Sequence, residues 1–138
     1  MKCLVALTPL FLMVMFCGCG DSLPTEHAGE QFLRQEVAKA GQRVSSEQLM
    51  TLVTFHKTNG QMGRNYIMEY EGEIEFTKDC FWQGGLSVRR EHTVYLDFQG
   101  RDTSGFSPVK KGQRGKISGK IQFEKTEKGW RPDWVRDK

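Results

Sequence analysis

Tyr66-Ile67-Met68-Glu69-Tyr70-Glu71-Gly72-Glu73-Ile74-Glu75-Phe76 decides the fold of this chain. Tyr66, Met68, Tyr70, Ile74 and Phe76 share one parity with Gly72, while Glu69, Glu71, Glu73, Glu75 and Thr77 hold the other. Successive side chains of a strand point to opposite faces, so this alternation predicts a strand with one buried and one wet face. Gly72, on the apolar side, marks a bulge or the close approach of a helix over the sheet. Like charges down one strand repel, so the glutamates predict cross-strand cations: Lys116, Lys120 or Arg89. Each such pair is worth a few tenths to about 1 kcal/mol. Calcium binding fails on spacing, because a straight strand holds alternate carboxylates about 6.5 Å apart or more and cannot wrap one ion.

Working toward the N-terminus, Leu49 to Thr58 is rich in Thr, Val and Phe and predicts a first strand, with Asn59-Gly60 as a turn. Before it, Ala28, Phe32, Leu33, Val37 and Ala40 recur at helical spacing. An amphipathic helix over Glu26 to Ala40 follows, with Thr25 as N-cap, Glu26 in the first turn, Lys39 in the last and Gly41 as the stop. Its apolar face predicts packing on the sheet, because Glu26, Glu30 and Glu36 beside Arg34 and Lys39 make a poor membrane surface.

Toward the C-terminus, Gln83-Gly84-Gly85 turns the chain into a third long strand. There Val88, Arg90, His92, Val94, Leu96 and Phe98 share one face. Gln99 to Gly112 reads as a long loop, the natural place for function or mobility. Ile117, Ile121 and Phe123 alternate with polar residues in a fourth strand, which ends in a turn at Thr126 to Gly129. Trp130 begins a short final strand or tail, in which Pro132 limits ladder pairing. One helix ahead of consecutive antiparallel strands is an α+β arrangement: an N-terminal amphipathic helix packed on a curved antiparallel sheet of four to five strands.

The first residues belong to none of this. Met1 and Lys2 form a minimal positive region, and Leu4 to Phe16 form an apolar stretch interrupted by Pro9. At about 1.5 Å per residue those thirteen positions span roughly 20 Å, short of the ~30 Å hydrocarbon core of a bilayer. The junction Phe16-Cys17-Gly18-Cys19 resembles the lipobox of bacterial lipoproteins, in which a branched apolar residue and two small residues precede the lipidated cysteine. Gly18 and Cys19 fit that pattern; Phe16 and Cys17 depart from the usual Leu and from the usual Ala or Ser. The resemblance implies a signal peptide over 1–18, lipidation at Cys19, a tether over 19–25 and a single α+β domain over 26–138. The other reading of the same junction is an ordinary secretory signal cut nearby, which leaves a soluble exported domain.

Cleavage before Cys19 changes the cysteine arithmetic. Of four cysteines, Cys3 and Cys17 leave with the signal and Cys19 carries lipid, so Cys80 is the remaining thiol and no internal disulfide can form. Removing Lys2 leaves 19 basic and 17 acidic residues, a net charge of +2 that does not suit a nucleic-acid partner. No cofactor motif is present, and His27 and His56 lie on different elements, so neither metal-ligand spacing nor a catalytic residue is assigned. Gly112 to Lys120 contains no phosphate-loop pattern.

The strand Tyr66 to Phe76, together with Gly119-Lys-Ile-Gln-Phe-Glu-Lys-Thr-Glu-Lys-Gly-Trp130, resembles a group of uncharacterised small bacterial exported proteins and lipoproteins. Those are similar in architecture to the cystatin-like and NTF2-like superfold, a helix wrapped by a strongly bent antiparallel sheet. The resemblance covers residues 26 to 131 and implies a fold without an activity. Cystatin inhibitors carry a Gln-x-Val-x-Gly loop, and the nearest match, Gln42-Arg43-Val44-Ser45-Ser46, lacks the glycine. Enzymes on the NTF2-like cone place His, Asp or Tyr inside a cavity, which makes Tyr66, Tyr70, Arg90 and His92, all on apolar parities, the candidate pocket. The expected function is therefore that of a lipid-anchored cell-envelope protein, a non-enzymatic binding or assembly module with an envelope protein partner. The alternative is a small-molecule-binding or enzymatic pocket protein.

Overall fold

In a computed structural model of the protein, the described residues are 22–40, 47–85, 94–95 and 105–135. Among them are one helix, α1 (Glu26–Lys39), and seven strands: β1 (Met50–Met62), β2 (Tyr66–Phe76), β3 (Cys80–Trp82), β4 (Val94–Tyr95), β5 (Ser107–Val109), β6 (Arg114–Thr126) and β7 (Gly129–Trp134). The strands form a four-stranded antiparallel sheet in the order β1-β2-β6-β7 and a small sheet in the order β4-β3-β5. The chain is thus α+β, with one helix packed on the four-stranded sheet.

The helix starts where its cap chemistry dictates. Thr25 is extended, and its Oγ1 accepts the Ala28 backbone N–H at 3.2 Å, satisfying a donor that the first turn leaves open. At the other end Ala40 turns extended, its N–H donating to Val37 O at 3.2 Å; the expected stop, Gly41, lies outside the described residues. Gly29, Leu33, Glu36 and Val37 form the buried side of α1. A Cβ at Gly29 would lie 2.5 Å from Met68 Sδ and 2.9 Å from Phe55 Cζ, so this glycine lets the helix sit close to the sheet.

Contacts from α1 reach both edges of the sheet. On β1, Arg34 Nη1 donates to Leu52 O at 3.2 Å, and Glu26 Oε1 accepts the Lys57 N–H at 2.9 Å. On β7, Phe32 meets Trp134 edge-on at 5.4 Å, and Trp134 Nε1 donates to Glu36 Oε2 at 2.9 Å. The helix thus spans the face of the four-stranded sheet. Between the two lie Leu33, Val37, Leu52, Met68, Tyr70, Ile74, Phe76, Ile121 and Phe123. Each large apolar side chain so buried contributes about 1.5–3 kcal/mol.

Register follows the alternation of β2. Tyr66 lies opposite Phe123, Met68 opposite Ile121 and Gly72 opposite Ile117, all on the helix side. The bulge expected at Gly72 is carried by its partner strand, where the register slips between Leu52 and Thr54 and again between Lys57 and Asn59. A Cβ at Gly72 would stand 2.5 Å from Thr54 O, so the close approach is that of β1's backbone and not of the helix. Aromatic rings cover other cross-strand glycines: Tyr66 over Gly60, Tyr70 over Gly119 and Trp82 over Gly115.

Several expectations need correction. Asn59-Gly60 is not a turn: β1 runs on to Met62, and the chain reverses at Gly63 to Asn65. The strands do not all pair in sequence: β1 pairs with β2, β3 with β4 and β6 with β7, but β2 pairs with β6 across the three strands between them. The long loop before β6 contains β5, which pairs with β3 through Cys80 and Val109. Pro132 does pair, opposite Phe123, because β7 is an edge strand with a free side for a residue lacking an N–H. Of the third long strand only Val94 and Tyr95 are described, opposite Trp82 and Phe81; the rest, with Arg89, lies outside the described residues.

Candidate functional site

The outer face of the sheet carries the residues that the core does not use. Glu69 meets Lys120 at 2.8 Å, and Arg114 bridges Glu73 at 3.7 Å and Glu75 at 3.4 Å. Cross-strand cations therefore pair with glutamates of the ladder, Lys120 as expected and Arg114 in addition, while Arg89 lies outside the described residues. Hydrogen bonds from Lys120 and then Asn59 hold the Glu69 carboxyl below its usual range.

Between these pairs the face opens into a groove of about 620 Å³ lined by Thr54, His56, Glu71, Gly72, Glu73, Lys116, Ile117 and Ser118. Strand register builds it: His56 opposes Glu71, Thr54 opposes Glu73, and on the other flank Ser118 and Lys116 oppose the same two glutamates. His56 is exposed, its Nδ1 lying 3.9 Å from Glu26 Oε1 at the start of α1. Two carboxylates, an ammonium, an imidazole and two hydroxyls thus meet around open solvent. They can donate and accept hydrogen bonds to a polar partner of either sign.

The candidate pocket residues fall elsewhere. Tyr66 and Tyr70 are both buried on the helix side, at 2% and 1% exposure. Tyr66 packs against Phe123 and Trp130, and Tyr70 stacks on Phe55 at 5.6 Å. Arg90, His92 and Cys19 lie outside the described residues. The Tyr70 hydroxyl has no hydrogen-bond partner among the described residues, and burial pushes its ionisation well above the ordinary tyrosine range. The groove was missed because its residues come from three strands. Its only signal in the sequence is the polar parity of each strand.

Two further features lie outside the groove. Cys80 is buried and free; burial, and then the charge of Asp79, push its thiol up to about 11, which makes it unreactive near neutrality. Asp79 clamps the turn before β6, accepting the Lys111 N–H at 2.9 Å and Lys110 Nζ at 3.0 Å. Those bonds, the backbone one first, hold its carboxyl below the usual range. Among the described residues, no cluster of three or more His, Cys, Asp or Glu could hold a metal, and no helix is long and apolar enough to cross a membrane.

No protein family, curated protein or solved structure matches this chain. The class that the fold and site define is an α+β domain presenting a polar groove on the outside of its sheet.

Proposed function

We propose that this chain is a lipid-anchored cell-envelope protein whose domain acts as a non-enzymatic binding or assembly module. In this reading a signal over 1–18 exports it, Cys19 carries the lipid, and the domain stands on the periplasmic side of a bacterial membrane or at the cell surface. Its fold is a cystatin-like or NTF2-like roll, supported by a helix that contacts both edges of the sheet.

The observation that carries the binding role is the groove. Its side chains carry charges of both signs, so an extended peptide segment of an envelope protein could lie along it and hydrogen-bond on either flank. The test compares the native lipidated protein with a Glu71→Lys, Glu73→Lys variant in affinity capture from detergent extracts. A protein that co-purifies with the first and is lost with the second is the expected result. Identical capture lists overturn the role of the groove.

One observation favours the alternative, an interior small-molecule or enzymatic pocket: the hydroxyl of Tyr70, buried without a hydrogen-bond partner among the described residues. A buried hydroxyl without a partner costs about 1–3 kcal/mol, a penalty that a ligand accepting its proton would remove. Native mass spectrometry of the purified protein separates the two. A small molecule retained by the native protein and lost in Tyr70→Phe supports the pocket.

A further inference from the structure

The chain enters the domain at one particular end of the sheet. Trp130 Nε1 donates to Ser22 O at 2.9 Å, which pins the last tether residues beside the start of β7. The Trp130 ring lies 6.5 Å from that of Tyr66, the first residue of β2. Tyr66 in turn is in register with Met62 and Phe123, near the ends of β1 and β6. The β1–β2 turn at Gly63 to Asn65 and the β6–β7 turn at Glu127 and Lys128 therefore share this end with the tether. The opposite end holds the turns before β3 and β6, joined by Phe76 N to Gln113 O at 3.0 Å.

Among the described residues, the two exposed large hydrophobic side chains are Leu23 and Met62, 49% and 60% exposed. Both sit at the tether end. The two hairpin segments at this end, 62–65 and 124–131, carry four basic residues (Arg64, Lys125, Lys128 and Arg131) against two acidic ones (Glu124 and Glu127), while Asp21 and Glu26 flank Leu23 in the sequence. Isolated exposed apolar residues are ordinary; their gathering at the one end that an anchor would hold, beside two hairpin segments with excess positive charge, is what a lipid surface suits.

Covalent reach makes the geometry tight. Cys19 and Ser22 are three steps apart along the chain, and extended chain covers at most about 3.6 Å per step, so roughly 11 Å. From these observations, and resting on lipidation at Cys19, we infer that the tether end of the sheet lies against the bilayer. Met62 and Leu23 meet the headgroup region there, and the two hairpin turns stand on the surface. The β6 strand, thirteen residues at about 3.3 Å each, carries the Lys110–Gln113 turn roughly 40 Å away from it. The groove, midway along the strands, then opens sideways into the aqueous phase.

The experiment uses the full-length, lipidated protein in vesicles containing nitroxide-labelled lipids. A fluorophore is attached through Met62→Cys or, at the far end, through Lys111→Cys; both positions are exposed, while Cys80 is buried and slow to label. The label at 62 is expected to lose most of its emission and the label at 111 to keep it. Equal quenching at the two positions, or stronger quenching at 111, overturns the orientation while leaving the anchor intact. The mass of the mature N-terminus is read on the same samples. A Cys19 without lipid overturns the anchor, and the orientation with it.

Discussion

Along β2 the residues facing the helix and those facing away alternate one by one. Yet Tyr66, Met68, Tyr70, Ile74 and Phe76 are buried, whereas Glu69, Glu71, Glu73 and Glu75 keep contact with water. The inner face is closed by α1, which reaches from Arg34 at one edge to Glu36 at the other, and almost every atom there has a packing role. The outer face is held by ion pairs that solvent screens, and between them it leaves a groove. The difference separates stability from the proposed recognition: most side chains inside cannot change without cost to the fold, and those outside can.

Substitutions on the inner face should break this division most severely. Phe123→Ala opens a cavity opposite Tyr66 and is expected to cost about 3–5 kcal/mol in denaturant unfolding. Raising the pH attacks the same side through Cys80. Its folded thiol ionises at about 11, above the ordinary value of 9.0, so the unfolded chain loses this proton first. The stabilisation is complete below pH 9 and disappears as pH rises toward 11, by no more than about 2–3 kcal/mol at about 1.4 per pKa unit. A stability profile of Cys80→Ala should lack that decline.

Smaller effects sharpen the boundary between the faces. Glu36→Leu deprives the buried Trp134 indole of its acceptor and should cost about 1–3 kcal/mol, with Glu36→Gln recovering much of the loss. In a domain without an interior ligand, Tyr70→Phe should raise the melting temperature, since removing a buried, unpartnered hydroxyl is worth about 1 kcal/mol. On the outer face, Lys120→Ala should change stability by less than about 1 kcal/mol, and raised salt should shrink even that. A loss on the inner-face scale from Lys120→Ala would contradict the division.

The inner face was legible where one strand carried the whole pattern. The alternation of Tyr66 to Phe76 marked its faces, and Thr25 with Glu26 marked the helix start, because both signals are local. Signals that depend on distant partners were not legible. Glu36 reads as a polar helix position, yet it is buried because Trp134, 98 residues later, brings it an indole N–H. Asn59-Gly60 carries a turn signature, but the Tyr66 ring covers Gly60 and the strand continues to Met62. The pairing of β2 with β6 passes over the small sheet, and no single segment encodes it. For the same reason the glutamates pointed to an outer ladder but not to the groove, which needs Thr54 and His56 from β1 and Lys116 and Ser118 from β6.

An outer face available to partners matters most if the domain is held at a membrane, and one measurement bears on that directly. Mass spectrometry of the mature N-terminal peptide, isolated from membranes, should find a chain beginning at Cys19 with the added mass of a lipid on its sulfur. An unmodified Cys19, or a chain cut at another position, would contradict the account and leave an exported domain without an anchor.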